Sequence, residues 1–182
     1  MSLDDFDTAI AREGYRYELS RGVIVVAEIP GLPHLHVLDR LRMQIDNAVT
    51  PLRPKGVMVA AAMHCKLLIA DYESERHPDL AVYFGDPGES ENPWSTWIPA
   101  LVVEIVAADT EDCDYHLKPE EYLALGVQEY WIVDPAKGEV LVRQRWRSQW
   151  RERIIRPPQR YSSQMLPDFE FDCEGFFAAE PS

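Results

Sequence analysis

A mixed α/β fold is predicted from three stretches of the chain. Residues 99–108 read Pro-Ala-Leu-Val-Val-Glu-Ile-Val-Ala-Ala, a continuous apolar run rich in β-branched side chains, as expected for a strand buried on both faces. His34 to Ala48 carries Val37, Leu38, Leu41 and Ile45 at helical spacing, with Val49 just beyond, so one face of a helix belongs to the core. Tyr15–Leu19 and Val23–Ala27 flank Ser20-Arg21-Gly22, the pattern of a hairpin with glycine where positive φ is needed. At 182 residues the chain is expected to be one domain, residues 1–182, with one core.

The remaining elements follow in order. Asp4 to Arg12, with Leu3, Phe6 and Ile10 at helical spacing and acids in the first turn, predicts a short N-terminal helix that Gly14 ends. Val57–Ala62 and Cys65–Ala70 are strand candidates, and Asp71–Arg76 reads as a polar loop. In His77-Pro78-Asp79-Leu80-Ala-Val-Tyr-Phe the acid opens a strand, with His77 and Asp79 expected on one face. The acidic stretch Gly85–Trp97 is a long loop of the kind that serves as a lid or contact surface. Asp109–Leu117 is a connection. Pro119, Glu120 and Glu121 form the first turn of a helix capped by Gly126. Glu129–Val133 is a strand, Glu139–Trp146 and Trp150–Ile155 are a hairpin, Phe169–Phe171 is a last strand, and a tail helix starts at Glu174 within a 173–182 tail.

Chemistry centres on Glu104. An unpaired ionised carboxylate inside an apolar strand costs several kcal/mol, so Glu104 must be neutral, paired with a cation or bound to a metal. Asp79 lies 25 residues earlier, room for a strand, a long loop and a neighbouring strand, so the two acids can lie side by side. Pro-Asp at a strand start is otherwise plain turn chemistry. Two adjacent carboxylates in a dry site repel, and a hard divalent cation, Mg2+ or Mn2+, relieves the repulsion and supports phosphodiester hydrolysis. Glu18 is either a cross-strand charge on a solvated face or an active-site acid. His34 and His36, two apart on a helix, point in different directions; each reads as a cap or surface histidine, although His34 at the helix start can reach a phosphate.

Several motifs then resemble a known family. Pro78-Asp79-Leu80, Leu101-Val-Val-Glu104-Ile105, Asp114 with Lys118 and Tyr122, and Gly126-Val-Gln-Glu-Tyr130-Trp131-Ile-Val-Asp134-Pro135 look like the Uma-type family of restriction-endonuclease-like proteins. Tyr17-Glu18-Leu19, Gly22, His34 and Leu41 match its N-terminal pattern, and the likeness runs from about Tyr15 to Phe177. It implies a PD-(D/E)XK core, a mixed central β-sheet flanked by helices, with N- and C-terminal hairpins. It further implies that Asp79 and Glu104 hold the metal with the carbonyl of Ile105, that Lys118 assists the attacking water, that Glu18 is an additional acid, and that Tyr122 supports the site. The usual motif has lysine two positions after the acid, where this chain has Val106. The family commonly has serine where this chain has Ala107, so a hydroxyl is expected to be missing, and Pro119 is expected to steer Lys118 out of helical geometry. On the bland reading Lys118 is an exposed lysine paired with Asp114 or a nearby glutamate.

Composition narrows the partners. A net charge of −13 excludes broad electrostatic adhesion to nucleic acid or anionic membrane, but Arg143, Arg145 and Arg147 share one strand face and could touch phosphates. Three unpaired cysteines and the absence of a long apolar run predict a soluble, cytoplasmic protein with free thiols and no membrane span. His-Glu-x-x-His, a Cys/His pairing and glycine-rich phosphate loops are absent from the sequence, setting aside metalloprotease, thiol and P-loop chemistry. The expectation is a Mg2+- or Mn2+-dependent DNA endonuclease, a homodimer because a duplex has two strands to cut. The alternatives are a decayed nuclease fold acting as a dimeric binding module, and hydrolysis of another phosphoester.

Overall fold

The computed structural model describes residues 1–9, 12–61, 64–89, 92–108, 110–166 and 169–177. Ile10 of the expected first helix, Ala62 at the end of a strand candidate and Asp109 of the expected connection lie outside the described residues. The elements are α1 (Leu3–Asp7), β1 (Tyr15–Ser20), β2 (Val23–Glu28), α2 (Leu32–Val49), β3 (Val57–Ala60), β4 (Leu67–Ile69), β5 (Ser74–Arg76), β6 (Leu80–Phe84), β7 (Leu101–Ile105), α3 (Lys118–Leu125), β8 (Glu129–Asp134), β9 (Glu139–Trp146), β10 (Gln149–Ile155), β11 (Arg160–Ser162), β12 (Glu170–Asp172) and α4 (Cys173–Phe177).

The central sheet has six strands in the order β10-β9-β8-β7-β6-β3, antiparallel except for the parallel pair β7–β8. That parallel pair needs a crossover, and α3 supplies it. Alternation divides the side chains. Leu101, Val103 and Ile105 of β7 face the α2 layer with Leu41, Ile45 and Trp131, while Val102 faces Tyr122 and Tyr130 on the other side. Both faces are therefore covered, and β7 and β8 carry no exposed residue.

A four-stranded sheet, β2-β1-β5-β4, packs on the α3 side. Its hairpin turns at Arg21 (φ 51°) and Gly22 (φ 77°), two left-handed residues in succession, which is the twist-matched two-residue connection. The segment expected as a loop at Asp71–Arg76 contains β5, whose Leu19↔Glu75 and Leu68↔Glu75 pairings tie β1 to β4. Pairing with β4 across a short turn, and with β1 at Glu75, makes a strand of these three residues, although no local periodicity marks them.

The connection to α3 also departs from expectation. Cys113–Leu117 forms a π-helical turn running directly into α3, with the Lys118 N–H donating to the Cys113 carbonyl. In the long acidic loop, Trp97 packs on Tyr83 with ring centroids 4.5 Å apart. After β10, β11 and β12 pair as a small ribbon whose Tyr161 and Phe171 rings pack edge-on to Trp131. Buried Glu129 accepts five bonds there, from Trp131 Nε1, Gln144 Nε2, the Tyr161 and Ser163 hydroxyls and the Gln164 N–H. Cys65, Cys113 and Cys173 are free thiols. Among the described residues no helix is long and apolar enough to cross a membrane.

Leu41, on the middle turn of α2, is fully buried against the central sheet. Leu41→Ala is expected to lower unfolding free energy by about 2–5 kcal/mol, read from the midpoint of urea denaturation at unchanged m-value.

Candidate active site

β6 and β7 pair with Leu80 opposite Val103. Continuing that register by one residue sets Asp79 across from Glu104, on the same face of the sheet. Both acids are almost fully buried. The Val106 N–H bonds to the Val133 carbonyl on β8, so Ile105, one residue earlier, turns its N–H and carbonyl the other way, toward the start of β6. Its N–H donates to Asp79 Oδ2 at 2.8 Å, taking the carboxylate where a ladder partner would otherwise stand.

The other groups arrive from three directions. On β1, Arg16 and Glu18 share a face by alternation. Arg16 Nη1 reaches Asp79 Oδ1 at 3.0 Å, and His34 Nε2, in the first turn of α2, lies 3.2 Å from the same oxygen. From α3 and its π-helical turn, Asp114 lies four residues before Lys118, and Glu121 and Tyr122 lie three and four after it, all on one face. Lys118 Nζ sits 2.9 Å from Glu104 Oε1, 2.8 Å from Asp114 Oδ1 and 3.8 Å from Glu18 Oε2. The Tyr122 hydroxyl donates to Glu104 Oε1 at 2.6 Å.

Behind this layer stands Arg76 of β5, fully buried. It grips Glu121 with two bonds, at 2.7 and 3.0 Å, and donates to Glu18 at 3.2 Å and to the Ser20 hydroxyl at 2.7 Å. The His77 N–H completes the environment of Glu18. Glu18 is thus no solvated cross-strand charge; it is a buried acid between Arg76 and Lys118.

Two expectations about the helix are corrected. Lys118 is helical (φ −59°, ψ −34°) although Pro119 follows it, and it is buried rather than exposed. Its ammonium meets Glu104 and Asp114 closely, and this attraction outweighs the steric preference of a pre-proline residue. Near Ala107 a hydroxyl is present after all: Thr110 Oγ1 donates to Asp114 Oδ2 at 2.7 Å and accepts the Ala107 N–H at 3.1 Å.

The electrostatics are unbalanced. Glu18, Asp79, Glu104, Asp114 and Glu121 face Arg16, Arg76 and Lys118, two more carboxyl groups than permanent cations; Arg21, at the rim, reaches Glu121 but also serves exposed Glu120. Burial, with Asp114, Asp79 and Glu18 adding to it against Lys118, pushes the Glu104 carboxyl up to about 8. Burial opposes charge on Asp79 as well, but the His34 contact, Arg16 and the Ile105 N–H hold it below the usual range. For Glu18, burial is outweighed by Lys118 and Arg76, which bring it down to about 2. Lys118 is desolvated, yet Asp114, Glu104 and Glu18 hold it firmly protonated.

A divalent cation fits this chemistry. Asp79, Glu104 and the Ile105 carbonyl are hard oxygen donors, and a dication there would favour the ionised form of Glu104 and offset the surplus of carboxyl groups. Among the described residues no three His, Cys, Asp or Glu side chains converge as a ligand group.

A cleft of about 430 Å³ opens beside Asp79, lined by Arg16, Glu28, Gly31, His34, Ile105 and Thr110 among others. Arg16 Nε and His34 Nδ1 are buried without a hydrogen-bond partner, each a cost of about 1–3 kcal/mol when left unmade. Arg16 was not singled out in the sequence; its place two residues before Glu18 on an alternating strand is the signal that marks it.

Arg143 and Arg145 are not brought to the acidic pair. Arg143 binds Glu152 and the Tyr115 carbonyl, and Arg145 binds the Leu123 and Val127 carbonyls. Glu104 is level with Leu141 of β9, and Trp146 lies five residues further, about 17 Å along the strand toward the opposite end of the sheet.

A family model described as Uma2, putative restriction endonuclease, matches residues 3–174. A comparison with curated proteins finds no match. Among solved structures, a putative nuclease from Anabaena variabilis ATCC 29413 superposes with a TM-score of 0.77 at 18% identity, covering 97% of each chain. At that identity the likeness speaks to the fold, and the fold is restriction-endonuclease-like.

The raised carboxyl of Glu104 sets a pH dependence. Its folded-state pKa of about 8 exceeds the ordinary 4.5, so its stabilising contribution is complete below about pH 4.5 and is lost as pH rises through 8. In metal-free buffer, stability from urea melts is expected to decline between pH 5 and 8, and Glu104→Gln to flatten that decline and raise Tm at pH 8. An unchanged slope in the variant contradicts the assignment.

Proposed function

Because the chain belongs to the Uma2 family of putative restriction endonucleases, we propose that it is a divalent-metal-dependent endonuclease hydrolysing phosphodiester bonds of DNA, with residues 1–182 acting as one domain. The observation that carries this reading is the buried Asp79 and Glu104 pair at adjoining strand ends, in a group of five acids facing three permanent cations, with the Lys118 ammonium 2.9 Å from Glu104. Asp79, Glu104 and the Ile105 carbonyl are the proposed ligands of Mg2+ or Mn2+. When bound, such an ion supplies Lewis-acid charge beside the scissile phosphate.

The chain's own residues account for the rest. Held protonated by three carboxylates, Lys118 acts as a hydrogen-bond donor that orients the attacking water and offsets charge on a phosphoryl oxygen; it is not the base. Tyr122, through its 2.6 Å bond, fixes the rotamer of Glu104. Glu18 positions Lys118 and Arg76 and lies too deep in their grip to meet substrate first. Arg16 and His34 line the cleft, and the unpartnered Arg16 Nε is a donor suited to a phosphate oxygen.

A manganese titration by calorimetry on the wild type and on Asp79→Asn tests the metal site, followed by cleavage of supercoiled plasmid. Binding is expected in the wild type and lost in the variant. Nicking should fall at least about 100-fold in Asp79→Asn and in Lys118→Met. No heat from wild type at millimolar manganese overturns the catalytic reading and favours the binding module, in which Arg16, His34 and Lys118 permanently neutralise the pair.

A further inference from the structure

The least explained surface is β2, which closes one side of the four-stranded sheet; among the described residues no strand pairs its outer edge. Val23, Ile24, Val25 and Val26 are 65%, 39%, 37% and 52% exposed, and the apolar surface continues through Ile29 and Leu32, at 62% and 67%. No charge, proline or bulge interrupts Val23–Ala27, so none of the usual protections of a free edge is present.

We propose that this edge pairs antiparallel with β2 of a second copy of the chain, about a two-fold axis at Val25. The two-residue turn makes Ser20 and Val23 a hydrogen-bonded pair. By alternation Val25 and Ala27 also bond inward to β1, which leaves the N–H and carbonyl groups of Ile24 and Val26 pointing outward. A two-fold perpendicular to the sheet keeps each residue on its own face, so opposed residue numbers must sum to an even number. Centring on Val25 sets Ile24 against the partner's Val26 twice and satisfies the free groups of both strands.

Charge selects the same arrangement. Arg21 ends the uncharged stretch on one side and Glu28 on the other, and Glu28 has no ion-pair partner among the described residues. Antiparallel pairing at Val25 brings Glu28 opposite the partner's Gly22, beside its Arg21, which is shared with Glu120 and Glu121 of its own chain; parallel pairing sets Glu28 against Glu28. For a chain of net charge −13, an uncharged strip flanked by complementary ends is the surface on which a second copy meets least repulsion.

The inference does not need the nuclease reading, because its test is a mass. Light scattering on the purified chain should give twice 20.9 kDa, and Ile24→Lys should give a folded monomer, since that side chain is already exposed. In Val25→Cys, the opposed residues form a non-hydrogen-bonded pair with Cα atoms about 4.5 Å apart, within disulfide reach. Diamide should therefore convert this variant, but neither wild type nor Val23→Cys, to a covalent dimer. A wild-type monomer at 100-micromolar order, a dimer indifferent to Ile24→Lys, an open-ended assembly, or failure of Val25→Cys to cross-link overturns the proposal. The cleft shares Ala27, Glu28 and Ile29 with this edge, so in the pair two clefts flank one axis.

Discussion

The guanidinium of Arg76, without any exposed surface, joins three parts of the chain that are far apart in sequence. It binds Glu121 on α3, Glu18 and Ser20 on β1, and belongs itself to β5. Desolvating this cation is costly, and only its fork geometry, filled by two carboxylates and a hydroxyl, compensates. What the network supplies is placement. With Glu121 fixed, the face of α3 that carries Lys118 and Tyr122 can turn only toward Glu104, and with Glu18 fixed, β1 must present Arg16 to Asp79.

The surplus negative charge around Glu104 is then a property of the whole assembly. Each carboxylate has a cation, yet the cations are shared, so Glu104 is left to bear the deficit as a raised pKa. A site like this is not arranged for stability, because an apolar residue at position 104 would serve β7 better. On the proposed reading it is arranged to receive positive charge.

How far the sequence could be read depended on the range of the forces involved. Glu104 stood out because a lone acid in an apolar strand violates a local rule, and α2 and both hairpins announced themselves by periodicity. Asp79 and Lys118 rested on motif resemblance. Arg76 and β5 were invisible, since a three-residue strand has no period to detect and one of its two neighbours, β1, lies more than fifty residues away. The π-helical turn over Cys113–Leu117 was missed for a related reason: its i→i+5 bonding has no periodicity signal in five residues. Alternation correctly put Arg143 and Arg145 on one face. It could not say that this face packs inward, against the carbonyls at both ends of α3.

One buried carboxylate outside the site has a different consequence. Glu129 is satisfied wholly by neutral donors, three of them from the 161–164 segment after the last long hairpin. Detaching that segment would leave a buried carboxyl group beside Trp131 with three of its five donors gone, so partial opening there is costly. The β11–β12 ribbon, small and peripheral as it is, therefore belongs to the same cooperative unit as β8. In hydrogen exchange it should behave as part of the slowest-opening core rather than as a fraying end.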